Sequence, residues 1–214
     1  MTENLLVPAR RIETEFIDKN SRFITNAGPA FSVDEAQKFI TEIKKKYPDA
    51  SHHVPVYLIG HGASTLAHCS DDGEPSGTAG RPALAVLIGS GLGDIAAVIT
   101  RYFGGTKLGT GGLVRAYSDS VRLVLEALPL AKKLATTTLM FVISYALYEN
   151  VKLLIHHHGG KMIDEAFGAD ITITVSIADQ CLGGFKSKMV SLTKGKIEFI
   201  ILEQNNNTII PIKR

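Results

Sequence analysis

The chain has no tryptophan and only two cysteines, Cys69 and Cys181, in 214 residues. They stand far apart without CxxC spacing, which excludes a zinc ribbon and a disulfide framework and makes reduced thiols in a reducing compartment the simplest expectation. No uninterrupted apolar run approaches the roughly twenty residues that a membrane helix needs. Residues 1–11 also lack the apolar stretch of a secretory leader, so neither spanning nor export is expected, and the cytoplasm is the expected setting. Internal repeats, heptads and low-complexity tracts are missing too. Charge of one sign is not in excess: the net charge is +2, and residues 1–133 carry 15 Lys and Arg against 14 Asp and Glu. Global charge therefore gives no support for nucleic-acid binding, and any such case must be local.

What is present is an ordinary globular balance, 45% hydrophobic and 21% charged, in a chain long enough to bury a real core. Residues 10–17 and 21–27 alternate polar and apolar around a turn at Asp18, Lys19 and Asn20, the pattern of a β-hairpin. Ser32 with Glu35 three positions on reads as a capping box, and Ala36, Phe39, Ile40 and Ile43 form the apolar stripe of the helix it opens. Strands are expected at 54–59 and 94–101, and a helix over 113–128, where Leu113, Tyr117, Val121, Val124 and Leu128 recur at helical spacing. Pro129 and the Lys132-Lys133 pair read as a connector. Beyond it the order is β-α-β-β-α-β, with strands at 139–145, 161–167, 170–177 and 196–202 and helices at 149–157 and 179–192, the split βαβ pattern of a ferredoxin-like domain. The fold class is α+β in two domains, 1–133 and 137–204, with 205–214 expected as a flexible tail.

Thirteen of the 20 glycines fall between positions 60 and 112, and two segments there carry the candidate chemistry. The first, SDDGEPSGTAGRP, spans Ser70, Asp71, Asp72, Gly73, Glu74, Pro75, Ser76, Gly77, Thr78, Ala79, Gly80, Arg81 and Pro82. The second, RYFGGTKLGTGGLVR over residues 101–115, contains Arg101, Lys107 and Arg115 and no acid.

Together the two segments resemble the paired signature of the IMPACT/YigZ family. The resemblance implies an N-terminal β-α domain like domain IV of elongation factor G and a C-terminal domain like that factor's domain V. It also implies a link to translation, eukaryotic relatives acting in the amino-acid-starvation response by competing for a protein partner of a translation-factor kinase. The ribosome, RNA or a translation-associated protein are accordingly the expected partners. No cofactor and no metal is expected, nothing sets an oligomeric state, and a binding role has better grounds than an enzymatic one.

Read physically, Gly104, Gly105, Gly109, Gly111 and Gly112 would expose backbone N–H groups where a helix begins, a place suited to phosphate or carboxylate. Lys107 and Arg115 would add charge, Arg101 would fork onto a phosphate, and Tyr102 or Phe103 would stack on a base. The competing reading makes these glycines a tight strand-to-helix crossing and the aromatics core; the spacing fits neither the P-loop nor the dinucleotide fingerprint. For the acidic segment three readings stand. Asp71, Asp72 and Glu74 gather a hard cation; or Asp72 or Glu74 caps the next helix or pairs with Arg101; or the segment contacts a partner. A hydrolase would need Ser70, Ser76, Thr78 or Cys69 beside His52, His53, His61 or His68, and no GxSxG elbow occurs. His156, His157 and His158 read as a solvated helix end, and Lys186, Lys188 and Lys194 as a solvated face or an extension of an RNA-binding surface.

Overall fold

The computed structural model describes residues 5–212. The chain forms two compact units, residues 1–132 with 209–214, and residues 133–208.

The first unit is a five-stranded antiparallel sheet between helices. After a short strand β1 (Leu6–Pro8), β2 (Ile12–Asp18) and β3 (Ser21–Pro29) make the expected hairpin. Lys19 and Asn20 take positive φ, 44° and 67°, as a two-residue turn matching the strand twist requires. Helix α1 (Val33–Lys46) is capped by Ser32, whose Oγ accepts from the Glu35 amide. Then come β4 (His52–Ile59), β5 (Leu66–Cys69), α2 (Gly80–Gly89), β6 (Ile95–Tyr102) and α3 (Thr110–Ala127). The sheet order is β2-β3-β6-β4-β5.

Strand β6 decides how this unit packs. Its residues are buried from Ile95 to Arg101, and their alternation serves two cores. Ile95, Ala97 and Ile99 join Phe23, Val54, Val56, Leu113, Tyr117 and Val121 on the α2/α3 face. Ala96 and Val98 join Phe39, Ile40 and Ile43 of α1 on the other. Arg101 follows the odd positions onto the α3 face, with Phe23 and His52 as its cross-strand neighbours.

The second unit is ferredoxin-like. Most of strand β7 (Leu130–Ile143), α4 (Tyr148–His157), β8 (Lys161–Phe167), β9 (Ile171–Ala178), α5 (Asp179–Leu192) and most of β10 (Ile200–Pro211) build it, with β9 between β7 and β8 and β10 on the other side of β7; the first residues of β7 and the last of β10 belong to the first unit. Leu139, Phe141, Ile143, Ile173, Val175, Phe185 and Met189 are its core.

Two expectations change here. The segment 129–136, read as a connector from Pro129 and its two lysines, is already strand: β7 starts at Leu130, pairs with β1, and carries the chain from one unit into the other. Residues 205–211, expected as a free tail, are the second half of β10. Their polar run conceals a strand because β10 is an edge whose side chains are mostly exposed. Thr208 bonds Thr136 across the pair, at 2.6 Å between hydroxyl oxygens.

The hairpin turn sets a close contact with the second Gly-rich segment. A Cβ on Gly104 would lie 2.0 Å from backbone atoms of Asn20, whereas one on Gly111 would meet nothing within 4 Å. Gly104→Ala should therefore lower the thermal midpoint by several degrees, and Gly111→Ala, in the exposed first turn of α3, should leave it equal or higher. Thermal denaturation followed by circular dichroism reads both.

Candidate functional site

The two Gly-rich segments meet through one buried ion pair. Arg101, 5% exposed, donates from Nη1 to Glu74 Oε1 at 2.6 Å and from Nη2 to Ser21 Oγ at 3.2 Å. Glu74, 8% exposed, takes a second donor on the same oxygen, the Tyr117 hydroxyl at 2.7 Å. Burial first, and then this bond to Glu74, push the Tyr117 phenol well above its ordinary range, so it stays a donor. Phe23 packs edge-on to Tyr117 at 5.3 Å and lies 5.5 Å from the Arg101 guanidinium. Strand β6, helix α3, the β2–β3 hairpin and the acidic loop are thus tied at one point. Of the pairings the sequence offered, Glu74 with Arg101 is the one that forms. Arg101 as a free phosphate fork is corrected by it: both Nη atoms are engaged inside the unit.

The other acids have separate duties. Asp71, rather than Asp72 or Glu74, caps α2: Oδ1 accepts from the Ala79 and Gly80 amides at 3.1 and 2.8 Å, and Oδ2 from Gly77 at 2.8 Å. Burial raises its pKa, but the three amides, with Arg81 nearby, outweigh this and hold it below the ordinary carboxylate range. Asp72 bonds Lys44 Nζ at 2.9 Å and the His53 amide at 2.7 Å, and its carbonyl bonds His52 Nδ1 at 2.8 Å. Ser70 Oγ accepts from the Asp72 amide and Thr78 donates to the Pro75 carbonyl, so the loop from Ser70 through Gly73 and Pro75 to Gly80 is held by its own bonds. Among the described residues no three His, Cys, Asp or Glu side chains gather as a metal site, and no hydroxyl or thiol bonds a histidine ring. Burial, with Asp71 beside it, pushes the Cys69 thiol up, away from an activated thiolate.

The second segment builds a surface. Gly109, at φ 75°, is the N-cap of α3, with no side-chain cap bond and no acid in the first turn. Lys107 and Arg115 are exposed and have no ionic partner among the described residues. A cavity of about 330 Å³ opens beside Lys107, walled by Glu74, Arg101, Phe103, Lys107, Leu108 and Leu113. Phe103, 50% exposed, is the aromatic at this cavity. Tyr102 alternates to the opposite side, where its hydroxyl bonds Asp49 and Arg22 lies over its ring. Gly104 and Gly105 carry the chain round, Gly111 and Gly112 start the helix, and Arg115 stands one turn further along. Sequence reasoning left out Ser21 and Tyr117, the first hidden in a hairpin and the second in a regular helical stripe.

A two-unit α+β chain with paired Gly-rich segments around a buried Arg–Glu tie is the class defined so far. The Impact N-terminal domain family matches residues 19–125, and a domain of unknown function, DUF1949, matches residues 141–196. IMPACT family member YigZ of Escherichia coli (strain K12) is 34% identical over 203 residues, 94% of this chain and 100% of the relative. IMPACT family member YvyE of Bacillus subtilis (strain 168) is 34% identical over 184 residues, 86% and 84% of the two chains. A solved structure described as that of a hypothetical protein is 34% identical, covers 95% of this chain and 99% of its own, and superposes with a TM-score of 0.63. The chain belongs to the IMPACT family.

Removing one partner of a buried pair strands the other charge. Arg101→Ala should destabilise the N-terminal unit by about 3–5 kcal/mol, measured by urea denaturation, with Arg101→Lys recovering only part because it cannot reach Glu74 and Ser21 at once. Asp71 gives a pH test. Its folded pKa lies below its unfolded one, so its stabilisation is complete above the unfolded pKa, about 3.9, and is lost as pH falls through the lowered folded value. Asp71→Asn should flatten the acid limb of a stability-against-pH curve in that window.

Proposed function

We propose that this protein is a binding factor linked to translation, and that its N-terminal unit engages an anionic nucleic-acid partner through the surface where α3 begins. Family membership supports the translation setting, as the resemblance of the two segments implied. One observation carries the binding reading: an uncapped, acid-free helix start with the exposed Lys107 at a cavity wall and the exposed Arg115 in the second turn of the helix, neither with an ionic partner among the described residues. The helix N-terminus places about half a positive charge there and Lys107 and Arg115 add two more. Glu74 does not cancel this field, since Arg101 already faces it. RNA, free or in the ribosome, supplies the phosphates such a surface suits. The cytoplasm is the setting this reading requires.

The exposed Phe103 and the apolar walls around it favour a second reading, a protein partner on the same surface. Salt separates the two. Two phosphate contacts give a slope of about −1.4 to −1.8 in log K against log salt, so RNA affinity should fall roughly 7- to 12-fold between 50 and 200 mM. Lys107→Ala/Arg115→Ala should remove that slope while leaving the melting temperature unchanged, because both side chains are exposed and neither has an ionic partner among the described residues. Filter binding or fluorescence anisotropy with a short RNA and with ribosomes reads both. Binding indifferent to salt and to the double variant would transfer the surface to a protein partner.

A further inference from the structure

The cavity beside α3 is chemically divided in a way that phosphate attraction does not use. At its inner end stands Glu74, whose side chain is 3% exposed. Both donors that reach this carboxylate, Arg101 Nη1 and the Tyr117 hydroxyl, share Oε1; Oε2 accepts from no donor among the described residues. A carboxylate oxygen is an acceptor with no donor capacity. Its natural complement is an N–H on a ligand. Between Glu74 and the rim lies an apolar wall, Leu108 and Leu113 with the ring of Phe103, which faces the Arg101 guanidinium at 5.7 Å. At the rim are Lys107 and the free amides of the α3 first turn.

Donor at one end, flat apolar body, anion at the other: this is the order of groups in a nucleotide. We infer that the cavity takes a single unstacked nucleotide, its base on Phe103 with an amino N–H directed to Glu74 Oε2 and its phosphate at Lys107 and the start of α3. A cavity of about 330 Å³ suits one such unit and no more. The inference rests on the nucleic-acid reading above and narrows it to an unpaired residue, because a base inside a duplex has neither its face nor its pairing edge free. It also sets a preference. Cytosine, adenine and guanine each present an exocyclic amino donor, whereas the uracil imide N–H is flanked by two carbonyls that a carboxylate oxygen repels. Sites holding a buried polar group discriminate sharply against ligands that fail to match it. The nucleotide has two sources with the same chemistry, a residue of single-stranded RNA or a free mononucleotide.

Calorimetric titration of the full chain with AMP, CMP, GMP and UMP, and with the matching nucleosides, tests this. The expected order places UMP at least tenfold weaker than the other three. Phe103→Ala should weaken all four about tenfold or more through lost stacking. Lys107→Gln should weaken the nucleotides and leave the nucleosides unchanged. Glu74→Gln, which can both donate and accept, should narrow the gap between UMP and CMP. That change in preference is one a merely loosened fold does not produce, and the two exposed-site variants keep the test intact if Glu74→Gln does not fold. Mononucleotide that displaces single-stranded RNA assigns the site to a strand residue; mononucleotide that binds without displacing RNA assigns it to the free ligand. Equal binding of all four bases overturns the inference. Salt-sensitive RNA binding without any mononucleotide binding overturns it too, while leaving the nucleic-acid surface standing; no binding of either kind ends both.

Discussion

Arg101 carries a permanent charge to the end of a strand whose other inward side chains are Ile95, Ala97 and Ile99, and it is tolerable there only because Glu74 meets it. Water cannot compensate a guanidinium at that depth. The acidic loop must therefore return to the sheet, and its other bonds make that return possible: Asp71 gathers three amides to start α2, and Asp72 ties the turn to Lys44 of α1 and the His53 amide of β4. Tyr117 brings α3 to the same carboxylate. Four chain segments distant in sequence are registered by one anion. A buried pair of this kind contributes specificity of arrangement more than net stability, since an apolar replacement of equal shape would avoid the desolvation penalty.

The consequence for the surface is indirect. The pair neutralises itself, so the cations that remain available on this stretch are Lys107 and Arg115, which have no ionic partner among the described residues. Residues that build the scaffold and residues that face outward alternate along one stretch of chain: Arg101 inward, Tyr102 to the far face, Phe103 to the cavity, Gly104 against the hairpin turn, Lys107 to solvent. Strand geometry produces the first three steps, and the absence of a side chain at Gly104 permits the fourth.

Much of the fold was legible because its signals are local. The Ser32–Glu35 cap, the hairpin at Lys19-Asn20 and the helix over 179–192 follow from short-range periodicity and capping chemistry. The start of β7 and the second half of β10 were not legible, since lysines and asparagines acquire strand geometry there from a partner far away in sequence. The site divides in the same way. Gly-rich composition and an acid-free stretch marked the right region, and pairing Glu74 with Arg101 was available as one option among several. That Asp71 would be the cap, that Phe103 rather than Tyr102 would line the cavity, and that Ser21 and Tyr117 would complete the network depend on strand phase and tertiary contact, which no single segment encodes.

Strand β10 is separated from β7 in the chain by the whole of α4, β8, β9 and α5, yet lies directly beside it in the sheet. During synthesis β7 therefore emerges with one edge open, and the strand that closes it is translated after every other element of that unit. Until then the nascent chain presents unpaired backbone amides and carbonyls next to the apolar residues of β7. This half of the molecule completes its sheet late, with a dependence on long-range contact that slows folding.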